Sequence, residues 1–296
     1  MKKCIRKGFI LTLSLVLIAS SMMGSFAAVT TDQLPLSSAF KYFEKLPKDQ
    51  VSLYVKDLTS GKSYGLNENF INKEKEAGMM GASVIKLHLA YYGVKSIEKG
   101  TYKWDQTYKD PVSGRKFTIR NEMSKMITVS DNGSFNTLLR FFKPEAINAG
   151  FADLLMPNTK VHAELGPAGD GWSAANNRKR YGTTKGGRIN AYETAVMLED
   201  IFKNKEKADM KVLHNFMLKV SNKDRIPSAV GKATMVAHKT GTMSDKDGVF
   251  DDVGIVYGKN GNYIICVLVQ KQKASIDKET RKALKLAFDY MEKSIR

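Results

Sequence analysis

The chain has 296 residues, 43% of them hydrophobic, and a formal charge of +17. That length allows one large domain or two small ones around a sizeable core. The lysines are scattered, with no basic helix and no aromatic-basic ribonucleoprotein motif, which argues against a nucleic-acid partner. The charge suits an anionic envelope or cell wall, although a source organism that simply favours lysine would produce it too.

The first residues read as an export signal. Lys2, Lys3, Arg6 and Lys7 form a positive start, Phe9 to Ile18 is apolar, and Ser25-Phe26-Ala27 is a small-x-small cleavage site. A signal peptide over 1–27 and a mature domain over 28–296 follow. An uncleaved anchor is the alternative, for which the apolar run is short. Cys4 precedes the apolar run and is not placed for lipidation. No later segment is apolar enough to span a bilayer, so no membrane contact is expected after cleavage. The mature chain keeps one cysteine, Cys266, which cannot form an internal disulfide and reads as a buried small hydrophobe.

Gln50 to Leu66 alternates around the turn residues Thr59-Ser60-Gly61-Lys62, as in a hairpin. Val84 to Ile97 is apolar on nearly every side and predicts a buried central helix, with His88 as a packed core residue rather than a ligand. Tyr102 to Phe117 is a loop or short hairpin. Thr118 to Thr128 is helical, and Ser130-Asp131-Asn132 starts the next helix, whose stripe is Phe135, Leu138, Leu139 and Phe142. The plainer reading of Asp131 or Ser130 is as the N-cap of that helix. Phe151 to Asn190 has no sustained period, and a long irregular segment inside a domain is usually functional. Helices follow at Ala191 to Phe202 and Met210 to Val220. Thr234 to Thr240, Val249 to Tyr257 and Tyr263 to Val269 read as strands, the last two joined by the hairpin signal Asn260-Gly261, and a closing helix runs from Ile276 to Ile295. The expected fold is α+β in three layers: an antiparallel sheet of about five strands, from 28–82 and 222–296, flanked by helices, with an all-helical part over 83–221 inserted.

Ser83 and Lys86 lie three residues apart in an apolar run, so a helix opening at Ser83 puts both on one side. A lysine in such surroundings loses its proton more readily and can draw the proton from Ser83 Oγ. The spacing alone is weak, since Ser38/Lys41, Ser96/Lys99, Ser113/Lys116 and Ser275/Lys278 share it. Two further signals stand in order after it: Ser130-Asp131-Asn132 at a helix start and Lys239-Thr240-Gly241 on a strand. With this ordered set the chain resembles the penicillin-recognising serine hydrolases, and among them the class A β-lactamases. The resemblance extends over the mature chain, including Asn136, the Val236-Ala237-His238 lead-in, the Gly254-Ile255-Val256 strand and the closing helix.

The resemblance implies a secreted hydrolase that opens β-lactam amides through a Ser83 acyl-enzyme. Lys86 is the adjacent base or proton relay, and Ser130 passes a proton to the departing nitrogen. Asn132 offers an amide to the substrate's acylamino group. Lys239 and Thr240 suit the carboxylate shared by β-lactams and D-Ala-D-Ala peptides, Gly241 leaves room for substrate along the strand, and the N–H groups of Ser83 and Thr242 form an oxyanion hole. The enzyme is expected to work as a monomer on a small substrate. No cofactor is implied, and His88, His162, His214 and His238 show no metal-ligand spacing.

Two departures stand out. Class A relatives carry a Glu-x-x-Leu-Asn loop whose glutamate activates the water that frees the acyl-enzyme, and this chain has none between Ser130 and Lys239. Glu164, in His162-Ala163-Glu164-Leu165-Gly166, is the nearest candidate, while Glu145 and Glu193 look solvated on helices. The segment from Ser83 to Ser130 is also short for class A, so the aromatic that lines the cleft there in many relatives is not assigned, with Tyr108 as a candidate. Acylation is therefore legible and deacylation is not. A D-alanyl-D-alanine peptidase, a penicillin-binding protein, or a binding or sensing module that keeps its acyl group or only binds cell wall is the alternative.

Overall fold

A computed structural model describes residues 33–71, 78–168, 172–243 and 248–294. The predicted export signal lies outside the described residues.

The described chain opens with the short helix α1 (Ser37–Phe40) and the hairpin strands β1 (Val51–Asp57) and β2 (Ser63–Leu66). A two-residue strand, β3 (Met79–Met80), leads into a 3-10 turn, Ala82–Val84, and the central helix α2 (Ile85–Glu98). The hairpin β4 (Thr107–Lys109) and β5 (Lys116–Thr118) precedes α3 (Ile119–Thr128), α4 (Asn132–Phe142) and α5 (Pro144–Asp153). Next come β6 (Lys160–Val161), α6 (Ala174–Tyr181), β7 (Gly187–Ile189), α7 (Ala191–Asn204) and α8 (Ala208–Leu218). The chain closes with α9 (Ile226–Val230), β8 (Met235–Met243), β9 (Val249–Tyr257), β10 (Asn262–Val269) and α10 (Ile276–Ser294). Among these helices none is long and apolar enough to cross a membrane.

The expected sheet is present: five antiparallel strands in the order β2-β1-β10-β9-β8. Its centre explains the near-continuous apolar run of β10. Ile264, Cys266 and Leu268 face a core shared with α2, α3, α4, α7 and α8, while Tyr263, Ile265, Val267 and Val269 face a second core with α1, α9 and α10. Both faces of the strand are covered, so alternation of polar and apolar residues disappears. The three layers follow from these two cores. Cys266 is fully buried, as its apolar neighbours require.

Helix α2 is buried on almost every side, which fits its lack of a polar face. His88 is packed inside it, Nδ1 against the Val84 carbonyl at 3.3 Å and Nε2 against Thr194 Oγ1 at 3.2 Å, and burial pushes its pKa down to about 4.

Two expectations change. The irregular segment contains α6, which its Asn- and Arg-rich sequence hides because it has no apolar stripe. Its ends are nonetheless marked: Ser173 Oγ accepts the Asn176 N–H at 3.0 Å, and Gly182 takes the left-handed conformation at φ 72°. Glu193 is buried rather than solvated, accepting from Asn158 N at 3.0 Å and Thr159 Oγ1 at 2.7 Å, so it ties α7 to the turn before β6. Glu145 is exposed.

Leu268 is fully buried where β10 meets the helical core. Leu268→Ala is expected to cost about 2–5 kcal/mol, read as a lower denaturant midpoint at unchanged slope in equilibrium unfolding.

Candidate active site

Ser83 sits in the 3-10 turn just before α2, and Lys86 on the first turn of that helix. The preceding residue, Ala82, has φ 37°, a left-handed backbone that an alanine adopts only where its surroundings impose it. Strand β8 is the imposing neighbour. A Cβ at Gly241 would lie 3.2 Å from each of Ala82 Cβ, the Gly81 carbonyl and Val84 Cγ2. A side chain there would crowd the serine turn from three sides, and glycine lets β8 pass this close. Gly241 therefore sets the distance between the nucleophile and the strand, besides leaving room above it.

Lys86 Nζ is the hub. It donates to Ser83 Oγ at 3.1 Å, Asn132 Oδ1 at 2.7 Å and the Ser130 carbonyl at 2.5 Å, and lies 3.2 Å from Ser130 Oγ. Lys86 has no exposed surface, and burial, then the charge of Lys239, holds its pKa down at about 7 against the opposing pull of Asp131. Among the described residues no carboxylate hydrogen-bonds Ser83, Lys86 or Ser130. Such an amine can be neutral near pH 7 and accept a proton.

Ser130 links the two lysines, its Oγ 3.0 Å from Lys239 Nζ and 3.2 Å from Lys86 Nζ. It reaches both through a left-handed backbone, φ 59°. Asp131, not Ser130, caps α4, accepting the Ser134 N–H at 2.7 Å. Capping and chemistry thus fall to adjacent residues of one tripeptide. Lys239 is buried, donates to the Thr240 carbonyl at 2.9 Å, and has its pKa lowered by burial to about 8 despite Asp252. Thr240 is buried beside it on β8, and Thr242 Oγ1 accepts from Arg225 Nη2 at 3.1 Å. β8 is an edge strand, and this edge passes the serine turn.

A cleft of about 440 Å³ opens here, lined by Ser83, Asn132, Leu165 and Thr242 among others. Its far wall is the segment after α5. Asn132 Nδ2 donates to the Pro167 carbonyl at 2.9 Å, and Asn136 grips Leu165 by both main-chain groups, at 2.7 Å to N and 3.0 Å to O. Gly166 lies under Trp172, where a Cβ would be 2.2 Å from the indole.

Glu164 borders the cleft, but its carboxylate is engaged. Oε2 pairs with Arg140 Nη1 at 3.0 Å, and Oε1 pairs with Arg180 and accepts from Tyr181 at 3.0 Å. Arg140 in turn holds the buried Asp110 at 2.6 Å. This network fastens α4 to the loop between β4 and β5 and to the wall of the cleft. The sequence offered little sign of it, because its links join distant positions: Asp110 and Arg140 are 30 residues apart, and Glu164 and Arg180 are 16 apart. Tyr108 does not supply the cleft aromatic: its ring packs on Phe141 at 4.8 Å in a cluster with Tyr102 and Phe117. Trp172, which sequence reasoning did not single out, lines the cleft from the opposite wall.

The model of the beta-lactamase enzyme family matches residues 35–287. Among solved structures, PBP-A superposes with a TM-score of 0.71 at 18% identity, over 88% of this chain and 98% of that one. A point mutant of PBP-A, captured as an acyl-enzyme complex with penicillin-G, gives 0.69 at 17% over 87% and 96%. The TLA-1 extended-spectrum beta-lactamase gives 0.68 at 21% over 87% and 98%. At these identities the likeness is one of fold. No curated protein matches the sequence. The family match covers both the sheet and the helical part that carry the three motifs, and the chain belongs to the beta-lactamase enzyme family of serine beta-lactamase-like hydrolases.

Proposed function

We propose that the protein is an exported, class A-like serine enzyme that opens β-lactam amides through a Ser83 acyl-enzyme and releases the product slowly. The observation that carries the reading is the position of Lys86, bonded to Ser83 and Ser130 with no described carboxylate between them. Neutral Lys86 takes the Ser83 proton as Oγ attacks the carbonyl carbon. The oxyanion is held by the N–H groups of Ser83 and Thr242. The proton then passes from Lys86 through Ser130 Oγ to the amide nitrogen, whose bond to carbon breaks. Lys239, still protonated, and Thr240 hold the substrate carboxylate on the β8 side.

Slow release follows from the opposite wall. Hydrolysis needs a base beside the ester, and Glu164 is committed to Arg140, Arg180 and Tyr181. Leu165, gripped by Asn136, is apolar. This favours a penicillin-binding or D-alanyl-D-alanine peptidase role as the second reading, with cell-wall stem peptides as natural substrates. The neighbour described as an acyl-enzyme with penicillin-G is in keeping with it. Export rests on the N-terminal signal, and attraction to an anionic wall on the strongly positive charge that remains after Lys2, Lys3, Arg6 and Lys7 leave with that signal.

Intact-protein mass spectrometry after addition of benzylpenicillin is expected to show one adduct, absent in Ser83→Ala and persisting for many minutes. Rapid hydrolysis of a chromogenic cephalosporin that survives Ser83→Ala would sink the reading.

The pH dependence follows from the two lysines. Lys86 must be neutral, so acylation rises with pH through about 7, and Lys239 must be charged, so it falls above about 8. A narrow bell in the second-order acylation rate, measured at constant ionic strength, is expected.

Glu164→Gln separates an anchoring role from a catalytic one. It removes one charge from a buried network and is expected to cost about 3–5 kcal/mol in unfolding free energy. The adduct lifetime is expected to stay unchanged. A lifetime lengthened tenfold or more would instead make Glu164 the hydrolytic base.

A further inference from the structure

The cleft has a charge that acylation does not use. Its wall away from β8 carries Arg178, Lys185 and Arg188 around Trp172 and Leu165, and its one carboxylate in the described lining is Glu164. Glu164 adds no net negative charge, because with Asp110 it is matched by Arg140 and Arg180. Arg178 and Lys185 are exposed and have no acidic partner among the described residues. Arg188 is fixed by register: β7 pairs with β3 so that Arg188 stands opposite Met80, just ahead of the serine turn.

The glycines beside these cations explain how the wall comes so near the nucleophile. A Cβ at Gly186 would lie 2.2 Å from Leu165 Cδ2, and one at Gly187 would lie 2.8 Å from Ile85 Cγ1 and 2.7 Å from the Lys160 carbonyl. The strand is therefore pressed against both the loop and the helix that follows Ser83. Helix α6 adds to the potential, since its first residue, Ala174, also lines the cleft and brings the positive end of the helix toward it.

We infer that this wall selects an amide whose acyl portion carries a carboxylate. That group is additional to the carboxylate held by Lys239 and Thr240 on the leaving side, and the two anionic groups would flank the reacting carbonyl. Arg178 and Lys185 draw the acyl carboxylate in, and Trp172 with Leu165 covers the apolar part of the acyl chain. The assignment deepens the reading of Ser83 as an acylated nucleophile and rests on it. A cationic cleft raises the local concentration and encounter rate of an anionic ligand, and does so less as salt is added.

A matched pair of penicillins tests it: benzylpenicillin and its α-carboxy derivative, which differ by one acyl-side carboxylate. Second-order acylation of Ser83 is followed by intact-protein mass spectrometry on the full mature chain, at low and high ionic strength. The carboxylated compound is expected to react about tenfold faster at low salt, with the advantage shrinking as salt is raised. In the double variant Arg178→Gln, Lys185→Gln the ratio of the two rates is expected to fall toward one, with a far-ultraviolet spectrum and melting temperature showing that the fold is kept. Equal rates in the wild-type protein, or a faster neutral compound, would overturn the inference while leaving Ser83 as the nucleophile. An unchanged ratio in a folded double variant would overturn the role of these side chains. Failure of both compounds to acylate Ser83 would overturn the parent reading and this one together.

Discussion

A lysine amine buried beside a serine, with no described carboxylate bonded to it, is the constraint to which the rest of the molecule answers. Lys86 has no exposed surface, yet its Nζ faces Ser83, Ser130 and Asn132. A charged ammonium is costly in such a place, and the cost is what brings its pKa down to about 7. Below that pH the folded protein must hold a buried cation that the unfolded chain carries freely in water. Because the folded pKa is depressed, stability contributed by this group grows as pH rises from about 7 toward the ordinary lysine range. The site is thus built at the expense of stability, as functional sites commonly are.

Strain and close approach supply the remaining geometry. Ala82 and Ser130 both hold left-handed backbones on either side of Lys86, and Gly241 lets an edge strand pass within van der Waals distance of the serine turn. None of these would persist on a pliable scaffold. The scaffold is stiff because β10 is covered on both faces by separate cores and α2 is enclosed on nearly every side. The Asp110–Arg140–Glu164–Arg180 network plays the same part for the outer wall. A carboxylate used this way is not available to water, which connects the architecture of the wall to the persistence proposed for the acyl-enzyme.

Much of this was legible in the residues themselves. The strands of the C-terminal third, the turn at Asn260-Gly261 and the all-round apolarity of α2 are local signals, and each element formed where its pattern pointed. The motifs around Ser83, Ser130 and Lys239 named groups that the fold gathers at one place. Where patterns were absent, reading failed. Helix α6 has no apolar stripe, Glu193 looked solvated although it holds a buried turn, and Tyr108 looked available although it closes an aromatic cluster.

By itself, then, the sequence determined the layers, the order of the motifs and the residue types on which the proposed acylation draws, because periodicity and residue type act over one or two turns of chain. Tertiary structure alone decided three things: that Lys86 is bonded to hydroxyl, amide and carbonyl oxygens, that Glu164 is bound into an ion network, and that Arg178, Lys185 and Arg188 form one wall of the cleft. Each depends on which distant segments the packed core brings together, and Coulomb energy is set by distance and burial rather than by position in the chain.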